Sequence, residues 1–395
     1  MRNFSQLWDI ITKADRVCGV YKYTSEEELN RFQKFFRFTC RSMFILGTFL
    51  MASTVYVTKG ELMSLFLVAS IQVLVIGGTT VFYTADFHHN IYKDMLKWCE
   101  KMYNVHEFFH EKVQFEARIK MRKALKSIIN FVKLVIALWA SMFVFSTIFY
   151  FIVRYFSPVD ANHKYDLLVP YYLPFSNQNT WYAYVVTLAV QSKIIYDLTA
   201  TSGYMCIIIT IIYLQIYYYL DFAEEVVKKM SDELTINENK SEILQEYSKI
   251  IVKIINDATF VFLRFSDKIK FIVLCFEMSS FAAEFVFGII INIEKQHYGY
   301  AICCLGVNTV YFGFSLMNDM MHEKMDDISF AFYSSPWYAM TPKDRKTLNL
   351  LMMCNKMENM KLTAADIHEL TLEKFTTVMK TAWSYCITLR NLINN

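Results

Sequence analysis

Runs of apolar residues long enough to cross a bilayer recur seven times along the chain, at about 38–58, 61–83, 128–156, 181–212, 270–293, 298–318 and 372–393. They predict an all-α membrane protein of seven transmembrane helices, organised as one domain over 1–395. The seventh run is the least apolar. From Trp181 to Leu220 no proline interrupts the helical pattern. About forty residues at 1.5 Å each span roughly 60 Å, twice the hydrocarbon core, so this helix is expected to project beyond the membrane. Segments 84–127, 213–269 and 319–371 show apolar residues at helical spacing, as in Ile243, Leu244, Tyr247, Ile250, Ile251, Ile254 and Ile255. Within the last of these, 343–360 reads as one amphipathic helix. Pro158, Pro170 and Pro174 make the stretch before the fourth run a turn-rich aromatic cap instead.

Charge orients this pattern. Lys and Arg crowd the N-terminus (Lys13, Arg16, Lys22, Arg31, Lys34, Arg37) and the segments 84–127, 221–269 and 319–371, whereas the alternate loops offer only Lys59, Lys164 and Lys295. Positively charged loops stay in the cytosol, so the N-terminus is expected inside, the C-terminus outside, and the amphipathic segments together in a cytosolic helical anchor bundle. A G-protein-coupled receptor has the opposite orientation. The composition, 55% hydrophobic and 19% charged, is ordinary for a polytopic membrane protein. With the cations segregated to one side of a membrane, lipid is the expected surface partner and nucleic acid is not. None of the nine cysteines falls in a predicted outer loop, so no extracellular disulfide is expected. The sequons at Asn3 and Asn239 fall on the predicted cytosolic side, out of reach of glycosylation. The first residues lack the apolar core of a signal peptide.

Candidate chemistry is sparse. His106-Glu107-Phe108-Phe109-His110 matches the HExxH pattern, which sets two zinc-binding histidines beside a general base. A catalytic zinc needs a third protein ligand in a protected cleft, and nothing clearly supplies one, so a solvated helix is the simpler reading and neither an enzyme nor a metal or cofactor is expected. Ionisable residues inside apolar runs are costly and are functional candidates by default. Lys193 and Asp197 stand four apart in the fourth run, Glu277 and Glu284 seven apart in the fifth, and Lys193 lies at a depth similar to that of Glu284. These four either lock helix packing or serve ligand binding and gating. Toward the outer ends of the runs, Phe66, Ser70, Val73, Met142, Phe145, Ser146, Phe149, Tyr150, Tyr184, Leu188, Gln191, Phe281, Tyr300 and Cys304 form the candidate lining of an apolar cavity with a few polar handles. In the last run Ser384, Thr388 and Asn391 fall at i, i+4 and i+7, a polar stripe that either hydrogen-bonds a neighbouring helix or wets a pore.

From Phe330 to Leu392 the chain resembles the C-terminal signature of insect odorant receptors: SSPWY followed by a PKDRK helix, an LTA turn, TLEKF, and a final helix with the spacing SYxxxLR. The seven-run layout, the LPFSNQNTWY loop and the length extend the likeness over the whole chain. The resemblance implies a ligand-gated, non-selective cation channel, a heterotetramer with the odorant receptor coreceptor in the plasma membrane of olfactory sensory neurons, gated by a small volatile molecule bound in the outer half. It further implies that Ser384, Thr388 and Asn391 face the pore, with Thr388 near the constriction. Segment 221–269 is shorter than the corresponding loop of the coreceptor, so the chain looks like a ligand-tuning subunit. A gustatory-receptor-like channel is the alternative, and its usual TYxxxxxQF-like ending fits less well.

Overall fold

A computed structural model of the chain describes residues 2–17, 62–104, 181–292, 298–355 and 360–394, with shorter stretches inside 30–49 and 119–137. Its helices are α1 (Arg2–Val17), α2 (Leu62–Phe87), α3 (His89–Asn104), α4 (Trp181–Ile236), α5 (Lys240–Asn292), α6 (Tyr298–Tyr333), α7 (Pro342–Cys354) and α8 (Leu372–Asn394). Two short strands, β1 (Thr363–Ala364) and β2 (His368–Glu369), pair antiparallel between the last two helices. Two helical stretches, Ser202–Ile236 and Lys240–Gly288, are long and apolar enough by themselves to cross a membrane among the described residues.

The proline-free stretch after Trp181 is one helix of 56 residues, which at 1.5 Å per residue is about 84 Å long. It turns at Asn237-Glu238-Asn239 and returns as the 53-residue α5, so the amphipathic tract and the fifth apolar run are a single helix. Tyr247 donates to Glu233 at 2.9 Å and fastens the two arms near this turn. From Tyr204 to Val227 most positions of α4 are buried, which is why its sequence is apolar on all sides there. α5 is the hub, packing against α2, α4, α6 and α8.

The turn end of these arms carries the accessory elements. α1 packs on α4, and Trp8 Nε1 donates to Glu100 of α3 at 3.3 Å. After α6, a 3-10 turn at Trp337–Ala339 leads into α7. Thr341 caps α7 by accepting from the Asp344 amide, and Pro342 occupies the first turn, where its missing N–H costs nothing. The helix expected over 343–360 therefore stops at Cys354. Asn355 ends it, donating from Nδ2 to Met325 O at 3.0 Å and Ser329 Oγ at 2.8 Å on α6.

The LTA turn is a β-hairpin. Ala365 and Asp366 have φ of 50° and 61°, and Ile367 N donates to Ala364 O at 3.0 Å, so both central residues are left-handed as in a type I′ turn.

Candidate pore face and ligand cavity

α8 has two faces. Val378, Ala382, Cys386 and Leu389 are buried, and Phe285 of α5 packs against the last two. Glu373, Thr377, Lys380, Thr381, Ser384, Thr388 and Asn391 are exposed. At 100° per residue these seven share one sector of about 100°, so the stripe read from Ser384, Thr388 and Asn391 extends down to Glu373. Its hydroxyls donate into their own helix: Thr377 to Glu373 O (2.9 Å), Thr381 to Thr377 O (2.8 Å), Ser384 to Lys380 O (2.9 Å) and Thr388 to Ser384 O (2.9 Å). With each O–H spent on the backbone, the oxygens turn lone pairs outward. Such a surface suits water and cations.

The hairpin mounts α8 on the bundle. Asn318 of α6, fully buried, donates to Leu370 O at 2.7 Å and accepts from Leu362 N at 2.9 Å, clasping both ends of the hairpin with one side chain. Asp319 accepts from Leu372 N at 3.1 Å, and Thr371 Oγ1 accepts from Lys374 N at 3.1 Å, so the first turn of α8 is capped twice. On the α5 side, Ala365 N donates to Lys270 O at 3.1 Å and Lys270 Nζ pairs with Asp366 at 2.6 Å. His322 Nε2 lies 3.1 Å from Glu369. His368 Nε2 lies 2.8 Å from Glu277 Oε2, close enough for an ion pair but off the angle of a hydrogen bond, which both buried atoms otherwise lack.

Glu277 thus serves the hairpin contact. Glu284 accepts from Asn308 of α6 at 2.7 Å, and Asn308 Oδ1 accepts from Ser280 at 2.5 Å. Both acids join one element to another. Lys193 is half-buried on α4.

Of the candidate cavity residues, Phe66, Ser70 and Val73 sit on α2, Tyr184, Leu188 and Gln191 on α4, Phe281 on α5, and Tyr300 and Cys304 on α6. α2, α4 and α5 are mutual neighbours, as are α4, α5 and α6. Val73 and Phe281 are half-buried. Phe281 meets Tyr385 of α8 edge to face, with ring centroids 6.3 Å apart, so one cavity candidate touches the polar helix directly. Met142, Phe145, Ser146, Phe149 and Tyr150, and the motif from His106 to His110, lie outside the described residues. No cluster of three or more metal-ligating side chains occurs among the described residues.

Long helices pack around a central α5, with a polar-faced last helix held by a hairpin, and by its match to solved structures this is a seven-helix membrane receptor fold. The family model described as 7tm Odorant receptor matches residues 96–383, and the chain belongs to that family. The fold is that of the insect olfactory receptor OR5 from Machilis hrabei, at 11% identity and a TM-score of 0.75, covering 98% of this chain and 99% of that one. The structure of the same receptor in complex with eugenol aligns at 11% identity with a TM-score of 0.71, covering 98% of this chain and 100% of that one. No curated protein sequence matches the chain. Membership makes it a multi-pass membrane protein, a receptor and not an enzyme.

Proposed function

We propose that this chain is the odorant-binding, ligand-tuning subunit of a heteromeric ligand-gated, non-selective cation channel. Its partner is the odorant receptor coreceptor, its assembly a tetramer, and its location the plasma membrane of olfactory sensory neurons with the N-terminus cytosolic. The observation that carries the reading is the two-faced α8, whose exposed stripe from Glu373 to Asn391 offers acceptor oxygens to water. Ser384, Thr388 and Asn391 form the pore face, with Thr388 near the constriction.

The ligand is a small volatile hydrophobic molecule held in the outer half by burial and shape, among Phe66, Ser70, Val73, Met142, Phe145, Ser146, Phe149, Tyr150, Tyr184, Leu188, Gln191, Phe281, Tyr300 and Cys304. The eugenol complex of the Machilis receptor supports a ligand of this class. Contact of Phe281 with Tyr385 supplies a short route from ligand to pore helix. Cells expressing the chain with a coreceptor, exposed to a panel of volatiles, are expected to pass cation current to some of them. Phe281→Ala should shift potency about ten- to a hundred-fold through one to three kcal/mol of lost contact. Identical responses from cells expressing the coreceptor alone would remove the ligand-tuning role.

A further inference from the structure

The stripe on α8 carries one cation. Lys380 is exposed and stands in the same sector as Thr377, Thr381, Ser384 and Thr388. It has no carboxylate partner among the described residues. The only acid within α8 is Glu373, seven residues earlier and about 10 Å away by helix rise. Of the acids of neighbouring α5, the two beyond the hairpin contact at Lys270, Glu277 and Glu284, are engaged with His368 and with Asn308. An unpaired ammonium eight residues into a membrane helix is costly in lipid and cheap in water, so its position argues for an aqueous face.

We propose that Lys380 is a conductance and selectivity determinant of the channel, a fixed positive charge on the hairpin-side half of the conduction path that depletes cations there. The inference rests on the reading of α8 as pore-lining and deepens it. A cation channel gains nothing in throughput from such a residue, so its effect is a brake whose strength scales with the number of subunits carrying this chain. Through water at about 10 Å, one unit charge changes the local cation concentration about two-fold. Salt screens it, since the Debye length falls from about 30 Å at 10 mM to about 3 Å at 1 M.

The full chain expressed with a coreceptor provides the test, by unitary conductance in excised patches. Lys380→Gln is expected to raise conductance about two-fold per subunit near 10 mM salt and to match wild type near 1 M, while Lys380→Arg stays at the wild-type value. Lys380→Cys adds a second readout that reports the environment of the site itself. A cationic methanethiosulfonate reagent applied from the hairpin side should restore the low conductance, and an anionic one should raise it. If the cysteine reacts but both reagents change conductance alike, or if Lys380→Gln equals wild type at low salt, the charge has no role and the proposal fails while the pore face stands. If Ser384→Cys and Thr388→Cys react and Lys380→Cys does not, Lys380 points to lipid and the proposal fails alone. If none of the three reacts, α8 does not line a pore and both readings fall.

Discussion

Lys324 of α6 shows how this protein holds charge in its interior. It is 8% exposed, lies 2.8 Å from Glu224 and 3.1 Å from Asp221 of α4, and sits over the Tyr217 ring at 5.5 Å. Burial alone works against the ammonium, but hydrogen bonds to Glu224 and Asp221 outweigh it and hold Lys324 above the ordinary lysine range. Burial likewise pushes the Glu224 carboxyl up, and Lys228 with Lys324 more than reverse this, leaving it below the ordinary range. A depressed carboxyl contributes stability above its unfolded value near pH 4.3 and loses it as pH falls through the folded value. A raised lysine contributes fully below about pH 10.4 and loses it as pH rises through its folded value. This cluster should therefore leave stability flat between about pH 5 and 10. Lys324→Met removes the ammonium that Glu224 and Asp221 share, leaving Lys228 on Glu224, and should cost up to about 3 kcal/mol, with Glu224→Gln in the same chain recovering part of it. Thermal unfolding of the detergent-solubilised receptor measures both. A single variant as stable as wild type would show the cluster to be idle.

At the scale of elements, the seat of α8 depends on the absence of a side chain. A Cβ built on Gly288 of α5 would lie 2.6 Å from Cys386 Sγ and 3.0 Å from its Cβ, so the Cys386 side chain packs directly on the α5 backbone. Gly288→Ala should force α8 outward at a cost of about 1–3 kcal/mol, and Cys386→Ala in the same chain should recover part of it by removing the sulfur. Unfolding temperatures of the single and double variants decide this, and no loss in the single variant would discard the close contact. Much of α8 is legible in the sequence, because hydroxyls at i and i+4 and an amide at i+7 announce a face. The extension to Glu373, Thr377, Lys380 and Thr381 is harder to read from the sequence, since charges near a helix start look like ordinary interfacial residues. The hairpin was hidden for a chemical reason: its left-handed positions hold Ala365 and Asp366, where a sequence reader looks for Asn-Gly. The break at 237–239 was equally silent, lying in a polar stretch without glycine or proline. Asn318 reads as one polar residue at the end of an apolar run, and only its two bonds to Leu362 and Leu370 reveal it as a clasp.

For the whole molecule, the helix directions turn a count of charges into a topology. The lysines of α3 (Lys93, Lys97, Lys101), the distal part of α4 (Lys228, Lys229), the start of α5 (Lys240, Lys249, Lys253) and α7 (Lys343, Lys346) belong to the end of the bundle that also bears the hairpin. Contacts join these parts: α3 packs on α4, α7 on α5 and α6, and Lys240 Nζ reaches Ala339 O at 3.3 Å. α1 docks there through Trp8 and Glu100. α8 starts at the hairpin, at Leu372, and runs 23 residues away from it, about 35 Å by helix rise and enough to cross the hydrocarbon core. If the lysine-rich end is cytosolic, as positive loops require, α1 is inside and the residues after Asn394 are outside. An epitope ahead of α1 should therefore stain only after permeabilisation, and one after Asn395 should stain on intact cells. Staining of the α1 tag on intact cells would invert the molecule, put the hairpin outside, and reverse the side from which thiol reagents must reach Lys380.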